Sequence, residues 1–133
     1  MVAVDNDERQ GAVLARSREQ TPKPPAIDLT HLARMTLGDR VVERDVLSLF
    51  QQQIVAGLAE IAQADWTGMR TLAHSLKGTA LAVGAGRLAA AAAAVEFALQ
   101  DPADGSALAA AMARLTAAAI EARTAIDEMT HCD

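Results

Sequence analysis

Between residues 108 and 129 the chain places Leu108, Met112, Leu115, Ala119, Ala122, Ile126 and Met129 at alternating steps of four and three, without a break. That spacing draws one apolar stripe along a helix of about six turns. A stripe that long is stable only when buried against other helices, so the fold must supply partners for it. Candidates precede it. Leu47, Phe50, Ile54, Leu58 and Ile61 step by 3, 4, 4 and 3, and Leu88, Ala92, Val95 and Leu99 repeat at heptad spacing.

Composition agrees. Of 133 residues 31 are alanine, while aromatics amount to 2%. Abundant Ala and Leu with few β-branched and aromatic side chains favours helix and disfavours sheet. The fold class expected is all-α, and a β-sandwich or parallel α/β sheet is excluded. The length suits one domain with a real core.

The elements follow from caps and breakers. TPKPP at 21–25 cannot continue a helix. Residues 1–25 are therefore expected to be a flexible N-terminal arm, and 26–133 the domain. Asp28 is an N-cap for a short helix through Leu29, Leu32 and Met35 to Gly38. Asp39 caps the next helix, which runs to about Gln63, and Asp65 caps a third over roughly 66–83, ending before Gly84. A fourth spans about 85–100, and the last starts near Pro102 or Ser106. Four long helices with short connections predict an up-down four-helix bundle carrying a short extra N-terminal helix. The AAAAAA run at 89–94 favours helix and close approach but specifies rotation poorly, so Leu88, Val95 and Leu99 must set the packing.

Charge and cysteine content narrow the function classes. Net charge is −5; four bases balance four acids in 1–25, leaving eight bases against thirteen acids in the remainder. An acidic body without a basic stripe argues against nucleic acid as a partner. No stretch of about 18 apolar residues lacks charges, so no membrane span is expected. The N-terminal VAVDNDERQ has acids where a secretion signal needs bases and an apolar run. A cytoplasmic location is expected. The single Cys132 cannot pair internally, and with His131 alone beside it a metal site is not expected.

The third helix holds the chemistry. Trp66, Met69, Leu72, Ala73, Leu76, Ala80 and Val83 share one side, and His74 falls roughly 140° from the centre of that stripe. It should be exposed in mid-helix, with Lys77 and Gly78 one turn along on its face. A lone surface histidine is ordinarily without a role; here its neighbours are unusual. Gly78 costs about 1 kcal/mol relative to alanine in mid-helix. Leu81 is apolar where a charge would be expected, and Lys77 is one of two lysines against ten arginines. A flexible cation beside a histidine, with no side chain at the next position, offers attraction and room for an anion. A neutral imidazole can attack phosphorus to form a phosphohistidine, whose roughly −1.5 to −2 charge Lys77 could partly balance.

The run A-H-S-L-K-G-T-A from Ala73 to Ala80, continuing through Val83-Gly84-Ala85 to Leu88 and on to Val95-Glu96, resembles the histidine-containing phosphotransfer (HPt) domain. The similarity extends to D-L-x-x-L at 28–32, T-L-G-D at 36–39, V-L-x-L-F at 46–50 and D-W at 65–66, covering about residues 27–128. Val95 stands where that family more often has leucine, a packing difference only. The resemblance implies a monomeric bundle that shuttles phosphoryl groups between receiver domains of hybrid histidine kinases and response regulators. It makes His74 the phosphorylated residue, Lys77 the phosphate-facing lysine and Gly78 the clearance position. It implies a phosphohistidine carrier rather than a self-sufficient enzyme, with no ATP-binding kinase domain and no cofactor of its own; Mg²⁺ would come with the partner receiver domain. Arg70, Thr71, Leu81 and Arg87 are candidate docking residues around the histidine. No residue clearly supplies a polar partner for the second imidazole nitrogen, so the tautomer stays open.

Two rivals are weighed against that reading. A histidine-kinase dimerisation segment also exposes a helical histidine, but it normally follows it with an acid, where this chain has Ser75, and it closes its core only as a dimer. A non-catalytic helical adaptor with no phosphate chemistry would present Leu81 and the alanine-rich helix to a partner, and would be indifferent to loss of His74.

Overall fold

The computed structural model describes residues 25–101 and 103–131. The proposed arm, apart from Pro25, lies outside the described residues, as do Pro102 and Cys132. Five α-helices and no strands make up what is described: α1 Leu29–Thr36, α2 Arg40–Gln63, α3 Trp66–Val83, α4 Gly86–Ala98 and α5 Gly105–His131. No described helix is long and apolar enough to cross a membrane.

Aspartates start the first three helices as read from the sequence. The Asp28 carboxylate accepts from the N–H groups of Thr30 and His31, Asp39 from those of Val41 and Val42, and Asp65 from Gly68. Each satisfies donors that helical geometry leaves unpaired, an effect worth about 1 kcal/mol per cap. The last helix starts at Gly105, between the two expected positions. Asp104 sets that start, accepting from the Ala107 N–H at 3.0 Å.

The stripes do pack. Leu47, Phe50, Ile54 and Ile61 from α2, Ala73, Leu76, Ala80 and Val83 from α3, and Leu88, Ala92 and Val95 from α4 are all buried. They join Leu115, Ala119, Ala122 and Ile126 of α5 and the following Leu99 in a single core, flanked by partly buried Leu58, Trp66, Met69, Leu72, Leu108, Met112 and Met129. Helices adjacent in sequence pack together from α2 to α5, and α2 also contacts α5. The buried Ala89, Ala91 and Ala92 line the α4 face of this core, where the small side chains permit close approach.

The short helix forms after Asp28 as expected but is thinly packed. Only Leu32 and Thr36 of α1 are buried; Leu29 and Met35 are 58% and 52% exposed. An eight-residue helix lying on a bundle can bury only a narrow strip, and these two side chains flank it. Leu37 caps the helix with φ 54°, and Gly38, the expected stop, follows it in the left-handed region with φ 77°. Leu37 is 93% exposed, so no burial offsets the conformational cost.

The start of α1 is tied to the end of α3. The Asp28 N–H donates to the Gly84 carbonyl at 2.9 Å. Gly84 has φ 83°, and a Cβ there would come within 3.1 Å of the Asp28 carbonyl oxygen. Glycine is therefore required twice, for its backbone angle and for the close approach. His31 adds a second tie, its Nε2–H donating to the Ala82 carbonyl at 2.9 Å. That places His31 in a structural role.

Candidate functional site

Once α3 buries Ala73, Leu76 and Ala80, the positions on its opposite side must face outward. The His74 side chain is 73% exposed, as the helical geometry requires. Gly78, one turn along, is exposed, and a Cβ built there meets nothing within 4 Å. Leu81, a further turn-fraction on, is 57% exposed.

The neighbouring helix completes the site. Val95 is fully buried, and its successor Glu96 is therefore turned about 100° out of the core. It comes to lie against α3: Glu96 Oε2 is 3.2 Å from His74 Nδ1, and Glu96 Oε1 is 2.9 Å from Lys77 Nζ. One carboxylate thus holds both. An ionised carboxylate only accepts hydrogen bonds, so in the neutral imidazole the nitrogen facing it carries the hydrogen. Nδ1–H donates to Glu96, and the lone pair resides on Nε2.

Burial of the Glu96 carboxyl would by itself raise its pKa. Hydrogen bonds from Lys77 and His74, together with their charges, outweigh that effect and hold it below the ordinary glutamate value. The carboxylate stays ionised at neutral pH. Partly exposed ion pairs of this kind contribute about 0–1 kcal/mol to folding. The arrangement therefore orients the imidazole far more than it stabilises the bundle.

Glu96 is the residue that sequence reasoning passed over when it found no partner for the second imidazole nitrogen. The signal was present in the Val95-Glu96 pair of the family pattern, but the facing of Glu96 depends on the rotation of α4, which its alanine run does not specify. The remaining candidates divide into two groups. Thr67, Arg70, Thr71, His74 and Glu96 line a groove of about 310 Å³ on the N-terminal side of the histidine. Thr71 donates its hydroxyl to the Thr67 carbonyl at 3.1 Å. Leu81 and Arg87 instead line a larger groove of about 750 Å³ with Asp28, His31, Gly84 and Arg114. Arg87 is already committed to Glu121 of α5 at 3.1 Å. Among the described residues no group of three or more His, Cys, Asp or Glu is placed to hold a metal ion.

An exposed imidazole with one nitrogen held and the other free, a lysine and an open glycine along one helix face, is the setting in which the Hpt domain family model matches residues 44–129, from within α2 almost to the end of α5. The chain belongs to the Hpt domain family. A histidine phosphotransfer role goes with membership, as does interaction with receiver domains in phosphorelays. A solved structure from rice, assigned as a histidine-containing phosphotransfer protein, matches with a TM-score of 0.68 at 18% identity, over 97% of this chain and 94% of that one. At that identity it shows the shared Hpt fold. No curated protein matches the chain by sequence.

Proposed function

We propose that this Hpt domain is a relay intermediate in which Nε2 of His74 takes a phosphoryl group from the aspartyl phosphate of one receiver domain and passes it to the aspartate of another. The observation that carries the reading is the contact between His74 Nδ1 and Glu96 at 3.2 Å. It leaves the nucleophilic lone pair on the solvent-facing nitrogen. In the first transfer the Nε2 lone pair forms the N–P bond, and the P–O bond to the receiver aspartate breaks. The carboxylate leaves with the bonding pair. The positive charge that develops on the ring is met by Glu96 through Nδ1–H. The second transfer reverses these steps with a different carboxylate as nucleophile.

The receiver domain brings the aspartate and the Mg²⁺ that balances charge on the transferring phosphoryl group. This chain supplies the oriented imidazole and access to it. Open space at Gly78 admits the receiver's active-site loops, and Leu81 gives them an apolar contact. The docking area would be modest, as an interface remade in each cycle requires.

The contacts of α2 with α3, α3 with α4, α4 with α5 and α5 with α2 support an up-down four-helix bundle. A core closed in this way needs no second chain, which favours a monomer over the dimeric kinase segment. Receiver partners of this kind would support a cytoplasmic location. The test is label transfer from a phosphorylated receiver domain to the wild-type chain and to His74→Gln. Acid-labile, base-stable label on the wild type alone supports the reading; label retained by His74→Gln overturns it.

A further inference from the structure

Lys77 cannot bring net positive charge to the site while Glu96 holds it at 2.9 Å, because the pair sums to zero. A phosphoryl group on His74 adds roughly −1.5 to −2 charges. Another cation has to meet them. Arg70 lines the same groove as His74 and Glu96, one turn toward the N-terminus of α3. It is exposed and, among the described residues, makes no hydrogen bond or ion pair. Direction matters as well as spacing. Helical side chains lean toward the N-terminus, so His74 covers the turn that bears Arg70 and Thr71 rather than the turn that bears Gly78. Lys77 leans back in the same sense, which brings it to Glu96 beside the ring.

We propose that Arg70 is the phosphoryl-binding cation of the site: its guanidinium takes phosphoryl oxygens of phospho-His74 while Lys77 stays with Glu96. A planar guanidinium can present two N–H donors to two phosphoryl oxygens at once. Thr67 and Thr71 line the same groove on the same helix. Arg70 then acts on the phosphorylated state itself, before any partner is engaged. The inference rests on the phosphotransfer reading of His74.

The test uses the full chain, phosphorylated with phosphoramidate, whose nitrogen is already protonated; the P–N bond of the donor breaks and its electron pair leaves with ammonia, Nε2–P forms, and Nδ1 keeps its hydrogen against Glu96. The His74 resonance in ³¹P NMR is the one absent from His74→Gln. Its titration reports proton binding by the phosphorylated imidazole, ring and phosphoryl group together, which a cation on the phosphoryl oxygens makes more acidic. Arg70→Gln is expected to raise that midpoint by about half a pH unit or more, and Arg70→Lys by less. Arg123→Gln, on α5, which does not contact α3, should leave it in place. The double variant Lys77→Met/Glu96→Gln removes no net charge and should shift it less than Arg70→Gln does. The proposal is overturned if Arg70→Gln moves the midpoint no more than Arg123→Gln, or if the double variant moves it more. A wild-type chain that yields no His74 resonance here and takes no label from receivers would overturn the phosphotransfer reading itself.

Discussion

The Glu96 carboxylate on α4 lies 3.2 Å from Nδ1 of His74 on α3, across twenty-two positions of sequence. The contact decides which imidazole nitrogen is nucleophilic, and it depends on how two helices are rotated against each other. It also couples the histidine to Lys77, since the same carboxylate holds both.

Glu96→Ala removes the acceptor for Nδ1–H and frees the ring to turn. A hydrogen bond to a charged group is worth roughly 1.5–3 kcal/mol, and at this exposed site the lower end applies, or about tenfold in transfer rate. Folding should change by no more than about 1 kcal/mol. Rapid-quench transfer from a receiver domain and thermal unfolding of the same variant check both parts. Glu96→Gln, which keeps an acceptor oxygen, should recover much of the rate.

The ion pair should have a defined pH dependence. The Glu96 pKa is lowered in the folded state, first against the burial that would raise it and then by the bonds and charges of Lys77 and His74. A lowered folded-state value means the unfolded chain binds the proton more readily. The stabilisation is therefore fully present above the ordinary glutamate value and is lost as pH falls through the lower folded-state one. Wild type and Glu96→Gln, unfolded by urea from neutral pH down to pH ~3, should converge in stability as the pH drops. A gap that stays constant would contradict this.

Gly78 should separate folding from docking. With nothing within 4 Å of an added Cβ, Gly78→Ala gains helix propensity of about 1 kcal/mol, some 3–5 °C in Tm. Gly78→Gln should fold equally well and yet transfer slowly, because its side chain fills the space a receiver needs. Wild-type transfer by Gly78→Gln would show that the open position has no part in docking.

Leu37 gives a prediction independent of function. It holds φ 54° while 93% exposed. Leu37→Gly should stabilise the chain by about 0.5–1 kcal/mol, since a left-handed cap costs glycine little and no buried contact is lost. Chemical denaturation measures this directly.

Local chemistry was legible in the sequence. Asp28, Asp39 and Asp65 cap their own next turn, so the starts of α1, α2 and α3 could be read from a few adjacent residues. The outward position of His74 followed from helical arithmetic once the core stripe of α3 was recognised. Glu96 was not legible in the same way. Its orientation is set by burial of Val95 against other helices, and the six alanines before it contain no preference for one rotation. The exposure of Leu29 and Met35 has a related cause, because a short helix on a bundle has a contact strip narrower than its apolar residues suggest. The stop at Gly38 was legible, since glycine takes its φ of 77° without cost, whereas Leu37 sharing that left-handed turn was not.

The most direct measurement of the central claim is the nitrogen that carries phosphorus. The chain would be labelled with ¹⁵N-histidine, phosphorylated by a receiver domain, and the ring nitrogens of His74 assigned by long-range ¹H–¹⁵N correlation. Phosphorus on Nε2, with Nδ1 still protonated against Glu96, is the result expected from the geometry. Phosphorus on Nδ1, or on a residue other than His74, would contradict it.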